Sequence, residues 1–372
     1  MHSSPLVLVY EYFTGGGCPP GELPRSLAAE ALGMLWALLV DFRRWGAVRT
    51  LTALDARFAH NIPGLDRTTL PADFVVSIDP ASQEQVFSTL LQRCDAVLII
   101  APETGGVLSR LTAQAEAAGV PVLGSSSASI AIAGDKSVCA RLFSAAGLPA
   151  PLTFAAAFDT AAQAADKIGY PVVIKPLDGV SSAGVCLVPA PADLPRALDI
   201  LRQETIHKSI LLQSYIQGIH ASVSLLVSAG RSLPLSLNRQ RIEPGCPFEY
   251  LGGEIPLAHP AAVRAFELAQ AAVALLPGLQ GYIGVDMLLS GPDAWLIEIN
   301  PRLTTSYVGL RQVIPLNLAH AIWDACRHKV LPSSVALDGR VEFSKDDYSS
   351  WGLEPARTLK SLSGTEAQEA HP

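Results

Sequence analysis

The sequence predicts an α/β protein, α+β in its later part, with a parallel sheet near the N-terminus and a largely antiparallel second half. Strand-like and helix-like segments alternate from residue 1 to about residue 128, as in the β-α-β units that build a parallel sheet. Beyond about residue 129, strand-like segments follow one another through short polar turns, which is typical of antiparallel pairing. A chain of 372 residues is long enough for two or three domains.

The individual elements can be assigned in chain order. "LVLVYEYF" is predicted as the first strand, and the apolar helix that follows it ends near Gly46. "AVRTLTAL" and "DAVLIIAPE" are predicted as the second and third strands of the same sheet. The pattern changes near residue 129, where a helix is predicted from Asp135 to Gly147.

Two loops of the first sheet are candidate ligand loops, because open parallel sheets bind ligands beyond the carboxyl ends of their strands. Glu11 and Glu103 lie at two such ends, in "EYFTGGG" and "APETGG". Either carboxylate could hold an ammonium group, and Tyr12 or Phe13 could pack against an aromatic ring. The alternative stays open: the glutamates cap backbone amides, and the aromatic side chains fill the core.

Composition argues against several classes of partner. The formal net charge of −7 argues against nucleic acid or an acidic membrane surface as the main partner. The longest apolar stretch is too short to cross a bilayer, and we find no signal peptide, so we expect a cytoplasmic location. The cysteines are far apart and are predicted to be free thiols in a reducing compartment: Cys18, Cys94, Cys139, Cys186, Cys246 and Cys326.

A glycine-rich loop joins two strand-like segments in "VVIKPLDGVSSAGVCLV". Small residues let backbone N–H groups approach phosphate oxygens closely, and this loop carries them at Gly179, Ser181, Ser182 and Gly184. An ordinary hairpin turn is an equally good interpretation of the loop alone. Lys175 ends the first strand, where it either faces the same ligand or extends into solvent.

The segment "WLIEINPRL" places two polar side chains inside an apolar run. Side chains two apart in a strand share a face, so Glu298 and Asn300 point the same way. If the turn "SGPDA" is a five-residue loop, Leu289 faces Trp295 and Asp286 lies opposite Glu298. Adjacent carboxylates repel each other unless a cation lies between them, and oxygen ligands suit Mg²⁺. The alternative is that Asp286 pairs with a lysine and Glu298 lies at a solvated sheet edge.

The order and spacing of these features resemble the ATP-grasp superfamily of carboxylate–amine ligases, over about residues 129–320. The resemblance implies a Rossmann-like, parallel-sheet substrate domain at residues 1–128, followed by a two-part ATP-grasp fold. It places a lid subdomain with the phosphate loop at residues 129–212 and a subdomain with the metal site at residues 213–335. A polar C-terminal tail follows at residues 336–372. The implied cofactors are ATP and Mg²⁺, with two ions expected and Mn²⁺ as an alternative.

The resemblance also implies roles for individual residues. Lys136 and Lys175 correspond to the phosphate-binding lysines, and the glycine-rich loop corresponds to the mobile phosphate loop. Arg302 resembles the arginine that contacts the transferred phosphate, and with Lys175 and Arg241 it is a catalytic candidate. The remaining assignments are the adenine-binding hinge at Gln213, Ser214, Tyr215 and Ile216, and the metal ligands Asp286, Glu298 and Asn300.

Two positions depart from the pattern of the superfamily. His220 stands where many members carry a glutamate for the ribose hydroxyls, although a histidine can also hydrogen-bond a hydroxyl. Gly284 stands where D-alanine–D-alanine ligases carry an arginine, which argues against that subgroup. Arg239 and Arg241, in "LNRQRI", could supply the positive charge that is missing there.

A narrower resemblance, carried by "VYEYFTGGG", "APETGG" and "SLNRQRI", is to the tyramine–glutamate ligases of methanofuran and methylofuran biosynthesis. It implies that ATP phosphorylates the carboxylate of glutamate and that tyramine or tyrosine then displaces phosphate from the acyl phosphate. The expected partners are small molecules, with neither nucleic acid nor membrane, and a homodimer is allowed. Two alternatives remain open: an ATP-grasp ligase for another amino-acid pair, and an ATP-binding regulator without turnover.

Overall fold

In a computed structural model, the structure describes residues 4–18, 21, 25–61, 68–179 and 184–345. These residues form three β-sheets and the helices that accompany them. No helix within these ranges is long and apolar enough to cross a membrane. Ser181 and Ser182 of the predicted phosphate loop lie outside the described residues, as does the predicted tail from residue 346 onward.

The first sheet is parallel, as predicted. Its strands are β1 (Leu6–Glu11), β2 (Arg49–Asp55), β3 (Phe74–Ile78) and β4 (Ala96–Ile100), in the order β3-β2-β1-β4. Its helices are α1 (Arg25–Trp45), α2 (Ala56–Asn61), α3 (Gln83–Leu91) and α4 (Val107–Ala117). Sequence reasoning missed β3, because it is a short, half-exposed edge strand without strong alternation. α1 ends where predicted, since Gly46 adopts φ 71°, a conformation that favours glycine.

Two helices, α5 (Ser127–Gly134) and α6 (Lys136–Ala145), lead from the first sheet to the second. Asp135 caps α6 by accepting hydrogen bonds from the backbone N–H groups of Ser137 and Val138. Gly147, with φ 66°, follows the end of the helix. The predicted helix is therefore confirmed, and the cap fixes Lys136 at its first position.

The second sheet is antiparallel. It contains β5 (Thr153–Ala157), β6 (Val172–Lys175), β7 (Cys186–Val188) and β8 (Ser209–Ser214), in the order β5-β8-β6-β7. The helices α7 (Ala161–Ile168) and α8 (Leu194–Glu204) pack against it. Lys175 ends β6 and the glycine-rich segment leads from β6 to β7, so the predicted strand–loop–strand order is confirmed.

The third sheet has six antiparallel strands. They are β9 (Ile219–Ser228), β10 (Arg231–Glu243), β11 (Glu249–Ile255), β12 (Gly281–Ser290), β13 (Asp293–Asn300) and β14 (Val341–Ser344), in the order β13-β12-β9-β10-β11-β14. Its helices are α9 (Ala262–Ala274), α10 (Ser306–Val313) and α11 (Leu318–Trp323). β14 corrects part of the predicted polar tail: Val341 and Phe343 are buried because they pack into the core shared with α1.

Helix α1 joins the first sheet to the third. Its apolar side chains, including Leu38 and Phe42, belong to the same core as Leu310 of α10. Asp41 of α1 accepts a hydrogen bond of 3.0 Å from Nε of Arg311, which is also on α10. Packing and ion pairing therefore hold the C-terminal half of α1 against α10. Nearer its N-terminus, Glu30 accepts a hydrogen bond from Thr305, which follows β13.

The cysteine prediction is wrong for two of the six residues. Cys186 and Cys246 form a disulfide, although 60 residues separate them in sequence. The backbone explains their meeting: Leu187 N donates to Gly245 O at 2.8 Å and Phe248 N donates to Val185 O at 2.7 Å, so the β10–β11 connection lies along β7. The other four cysteines are free thiols: Cys18, Cys94, Cys139 and Cys326.

Candidate active site

The hairpin of β12 and β13 brings the three predicted metal ligands together. Asp286 lies opposite Glu298 across the hairpin, as the sequence predicts. The amide nitrogen of Asn300 donates a hydrogen bond of 3.1 Å to Asp286 Oδ2. Three oxygen-bearing side chains therefore converge at this end of the third sheet.

The hairpin reaches this pairing by a route that sequence reasoning did not foresee. The turn has two residues instead of five, and Leu288 faces Trp295. With that turn alone, Ile297 would lie opposite Asp286, and Glu298 would point to the other face of the sheet. A β-bulge adds one residue to β13 at this point, so that Glu298 takes the position opposite Asp286.

Two lysines surround the carboxylates. Lys136 Nζ lies 2.5 Å from Glu298 Oε2, and Lys175 is 4% exposed. Burial favours the protonated form of Glu298, but attraction to Lys136 and Lys175 outweighs it and lowers the pKa of Glu298. Burial, and then repulsion from Glu298, raises the pKa of Asp286 to about 7. Burial lowers the pKa of Lys175 to about 8. A divalent cation at the hairpin would relieve the repulsion between the two carboxylates.

A cleft of about 860 Å³ opens between the second and third sheets beside this hairpin. Asp286 and Glu298 lie in its wall, together with the apolar side chains of Phe248, Met287 and Leu288. The wall also contains most of the residues that the resemblance assigns to the nucleotide: Lys136, Lys175, Gly179, Gln213, Ser214, Tyr215, Ile216 and His220. The cleft thus combines a charged end with an apolar end, as a nucleotide requires.

His220 lies at the apolar end of this cleft. Its ring meets the ring of Phe248 edge to face, with 5.9 Å between the centroids. Burial lowers the pKa of His220 to about 4, so the imidazole is neutral at neutral pH. A neutral imidazole can donate one hydrogen bond and accept another, and this suits a pair of hydroxyl groups.

Two of the predicted ligand loops touch each other. Thr104 Oγ1 donates to Asp178 O at 2.8 Å, and Gly105 N donates to Asp178 Oδ2 at 2.8 Å. The "APETGG" loop of the first sheet therefore lies against the start of the glycine-rich loop of the second. Gly184, at the other end of that loop, has φ 69°, and a Cβ there would lie 3.0 Å from Cβ of Glu204. Both constraints favour glycine at this position.

A second, polar cavity of about 850 Å³ lies on the other side of the hairpin. It shares Asp286 and Glu298 with the first cleft. Its wall also holds Arg239, Asn300 and Arg302. Arg241, which the sequence makes a catalytic candidate, instead donates to the carbonyl of Phe343 on β14. The remaining polar groups of the wall are Glu30, Ser222, Gln240, Tyr250, Thr304, Thr305 and Ser306.

Arg302 and Glu103 form a buried, two-pronged ion pair. Nε of Arg302 lies 2.9 Å from Glu103 Oε1, and Nη2 lies 3.0 Å from Glu103 Oε2. Their side chains are 15% and 7% exposed. Such a bidentate pair holds the guanidinium in a single orientation. Glu103, which was predicted to hold an ammonium group, is therefore paired with Arg302, which was predicted to contact the transferred phosphate.

The "EYFTGGG" loop lines a third, smaller recess of about 390 Å³. Glu11 lies in its wall and accepts hydrogen bonds from the N–H groups of Phe13 at 3.2 Å and Thr14 at 2.7 Å. Burial raises the pKa of Glu11 to about 7. The ring of Tyr12 packs edge to face against Phe13, with 5.3 Å between the centroids. Glu11 thus caps backbone amides, as the alternative interpretation holds, while it also faces a cavity.

Sequence reasoning missed several residues of these walls. Gln240 Nε2 donates to Asp286 Oδ1 at 3.1 Å, and Glu30 of α1 lies in both the polar cavity and the recess. Gln240 lies between the two arginines of "LNRQRI", so that motif carried a usable signal. Glu30 interrupts the apolar pattern of α1, and a polar residue inside an apolar helix was the signal in that case.

Comparison with known proteins supports the same assignment. Residues 133–306 match the family model of the ATP-grasp domain, and residues 48–130 match that of the pre ATP-grasp 3 domain. The tyramine–L-glutamate ligase of Methanocaldococcus jannaschii is 31% identical over 310 residues, which cover 82% of this chain and 85% of that protein. The chain belongs to the ATP-grasp ligases. It is an ATP-dependent ligase of the carboxylate–amine type.

Solved structures show the same fold for this ATP-grasp ligase. An ATP-grasp superfamily protein from Archaeoglobus fulgidus has a TM-score of 0.66 at 24% identity, covering 91% of this chain and 92% of that one. The biotin carboxylase domain of 2-oxoglutarate carboxylase from Hydrogenobacter thermophilus, solved as a dimer with MgADP, has a TM-score of 0.72 at 16% identity. That alignment covers 92% of this chain and 74% of the other. At these identities, the likeness concerns the fold alone.

Proposed function

We propose that this ligase uses ATP to phosphorylate glutamate and then joins the acyl phosphate to tyramine or a related amine. One observation carries the proposal: the cleft and the polar cavity share the wall formed by Asp286 and Glu298. A γ-phosphate on one side and a carboxylate on the other would meet at this hairpin. Phosphorylation is needed because a carboxylate oxygen is a poor leaving group, so the protein contributes mainly positioning and charge neutralisation.

The proposal places ATP and Mg²⁺ at the cleft. Asp286, Glu298 and Asn300 offer the oxygen ligands that Mg²⁺ prefers. Burial, and then repulsion from Glu298, raises the pKa of Asp286, and a cation would relieve that repulsion. Among the described residues, His, Cys, Asp and Glu form no cluster of three or more, so phosphate oxygens and water would complete the coordination. We propose two ions, with Mn²⁺ as an alternative. When bound, they would neutralise charge on the transferred phosphate.

The charged residues around the cleft take separate roles in this proposal. Lys136 and Lys175 contact the phosphates, and Arg302 contacts the transferred phosphoryl group from the polar cavity. Arg239, which lines the polar cavity, binds the second carboxylate of glutamate. The remaining assignments are the adenine hinge at Gln213, Ser214, Tyr215 and Ile216, the ribose contact at His220, and the phosphate-covering loop with Gly179, Ser181, Ser182 and Gly184.

The substrate pair rests on the similarity to the M. jannaschii ligase, whose name states tyramine and L-glutamate. The polar cavity supports the glutamate assignment, because Arg239 and Arg302 line it together with several hydroxyl groups. A place in furan cofactor biosynthesis remains part of the proposal, as does tyrosine as the alternative amine. A homodimer is likewise proposed, with the dimer of the H. thermophilus neighbour as its support.

Coupled measurement of ADP release across pairs of acids and amines tests the proposal. We expect glutamate-dependent ADP release with ATP and Mg²⁺ that rises when tyramine is added, and an amide product in equal amount. If ADP is released with a different acid, that acid takes the place of glutamate as the substrate, and the reaction class stays the same. If ATP binds but no acid–amine pair releases ADP, the chain acts as a nucleotide-binding regulator, and the proposal fails.

A further inference from the structure

The recess beside the "EYFTGGG" loop adjoins the polar cavity. Both are lined by Glu30 and Arg302, so a molecule bound at this junction could extend from one into the other. The far part of the recess is apolar, with Phe13, Leu27 and Met34 in its wall. Its volume of about 390 Å³ includes space that is open to solvent.

The junction carries the carboxylate of Glu30, which lies near Arg302 without forming an ion pair with it. Glu30 is half-buried, and its Oε1 accepts a hydrogen bond of 2.6 Å from the hydroxyl of Thr305. Within the part of the chain that the structure describes, no lysine, arginine or histidine forms an ion pair with Glu30. The nearby guanidinium of Arg302 is already held by both oxygens of Glu103. A half-buried carboxylate in such a position is stabilised by a cationic ligand.

The charged side chains that line the recess therefore sum to a negative value. Glu103 offsets Arg302, while Glu30 remains, and Glu11 lies in the same recess. A ligand cation is attracted there, and a ligand carboxylate next to that cation is repelled. Tyramine carries an ammonium group alone, whereas tyrosine carries a carboxylate on the same carbon as its ammonium group.

We propose that the recess binds the apolar body of the amine substrate and that Glu30 holds its ammonium group at the junction. This inference rests on the proposed ligase function and decides its open alternative: the amine is a primary amine with a compact aromatic body and no α-carboxylate. Tyramine fits this description and tyrosine does not. Glu30 is then a residue that determines specificity, on a helix outside the family's nucleotide-binding motifs.

Equilibrium binding tests the inference without any turnover. Isothermal titration of the full chain, with Mg²⁺ and a nonhydrolysable ATP analogue, would compare tyramine, tyrosine and n-propylamine. We expect tyramine to bind at least about 10-fold more tightly than either of the others, because tyrosine meets repulsion and propylamine leaves the recess empty. Equal binding of tyrosine would overturn the exclusion of carboxylates, and equal binding of propylamine would overturn the role of the recess.

The variant Glu30→Gln has nearly the same shape and keeps an oxygen for Thr305. We expect it to weaken tyramine binding by about 10-fold or more and to bring the affinities for tyramine and tyrosine closer together. A purely structural role would leave that ratio unchanged. Glu267→Gln, an exposed glutamate on α9, is the matched control and should leave both affinities as they are. An unchanged ratio in Glu30→Gln would overturn the inference.

Turnover separates this inference from the proposed function. Glutamate-dependent ADP release that uses tyrosine as well as tyramine would keep the ligase assignment and overturn the role of Glu30. Tyramine binding that depends on Glu30, without glutamate-dependent ADP release, would support the role of Glu30 and overturn the choice of glutamate.

Discussion

The charged side chains on the two sides of the β12–β13 hairpin differ in whether they already have partners of opposite charge. On the nucleotide side, burial and mutual repulsion raise the pKa of Asp286 to about 7, and burial lowers the pKa of Lys175 to about 8. On the substrate side, Arg302 is already satisfied by both oxygens of Glu103. The nucleotide side therefore awaits a ligand to complete its charge balance, whereas the substrate side is organised beforehand. Charge removal should accordingly cost more on the nucleotide side.

The largest effect is expected for Glu298→Gln. This change removes the negative charge that pairs with Lys136 and that faces Asp286 across the hairpin. We expect ligase turnover to fall by about 10³-fold, because electrostatic stabilisation of the transferred phosphate depends on this group. Steady-state ADP release is the measurement, with circular dichroism to confirm the fold.

The exposed Glu267→Gln serves as its control, since that side chain forms a surface pair with Arg264 at 3.7 Å, and such pairs contribute little. It should change turnover by less than about twofold. Near-normal turnover of a folded Glu298→Gln variant would sink the assignment of the hairpin to phosphate transfer.

The second largest effect is a pH dependence of stability on the substrate side. Burial raises the pKa of Glu11 from its ordinary 4.5 to about 7, so the folded protein keeps a proton that the unfolded chain releases. Its contribution to stability is fully present below pH 4.5 and falls as the pH rises towards 7. Between pH 5 and pH 8, the free energy of unfolding of the wild type should therefore fall by about 2–3 kcal/mol more than that of Glu11→Gln.

Urea denaturation of both proteins at the two pH values gives this difference directly, since other titrating groups cancel. If the free energy of unfolding changed equally in the two proteins between pH 5 and pH 8, Glu11 would have an ordinary pKa. The recess would then be more polar than its walls indicate.

The two sides also differ in how far their sequence predicts them. Lys136 follows a helix cap, Lys175 ends a strand, and Asp286 and Glu298 face each other in one hairpin, so short local patterns were enough to find them. Even there, the β-bulge was not predicted. The length of the turn sets the register of the hairpin, and the sequence did not show that the turn has two residues. The parallel sheet and the α6 helix were predicted from alternation and capping in the same way.

Long-range contacts could not be predicted in this manner. Arg302 and Glu103 are 199 residues apart, and Thr305 and Glu30 are 275 residues apart. Glu30 meets Thr305 because α1 packs against the third sheet, and Glu103 meets Arg302 because the loop after β4 lies beside the end of β13. No local spacing encodes either contact. The disulfide of Cys186 and Cys246 was missed for the same reason. So was β14, which pairs with β11 although α9, α10 and α11 lie between these strands in the sequence.

An intermediate effect is expected for Glu103→Gln. The variant keeps a hydrogen-bond acceptor for Arg302 but loses the two-pronged ion pair that orients it. We expect kcat to fall by about 10-fold while the KM for ATP stays within about twofold. If instead only the KM for ATP changed, Glu103 would belong to the nucleotide side, and the contrast between the two sides would break down.

The smallest effect is expected for His220→Asn, at the apolar end of the cleft. An asparagine keeps one hydrogen bond to a ribose hydroxyl but not the ring contact with Phe248. We expect a rise of about threefold in the KM for ATP with kcat unchanged, the equivalent of one neutral hydrogen bond. Because burial lowers the pKa of His220 to about 4, the wild-type KM should not vary with this group between pH 6 and pH 8. A change in the KM for ATP between pH 6 and pH 8 that is present in the wild type and absent in His220→Asn would contradict a neutral imidazole.

The central claim is that the substrate carboxylate attacks the γ-phosphate of ATP, where the cleft and the polar cavity share the Asp286–Glu298 wall. Glutamate labelled with ¹⁸O in its carboxylates tests this directly, in a reaction with ATP, Mg²⁺ and tyramine. If the carboxylate is phosphorylated, one labelled oxygen passes from glutamate to each phosphate released, and mass spectrometry of that phosphate detects it. Amide formation accompanied by unlabelled phosphate would show that the carboxylate never attacks the γ-phosphate, and would contradict the account.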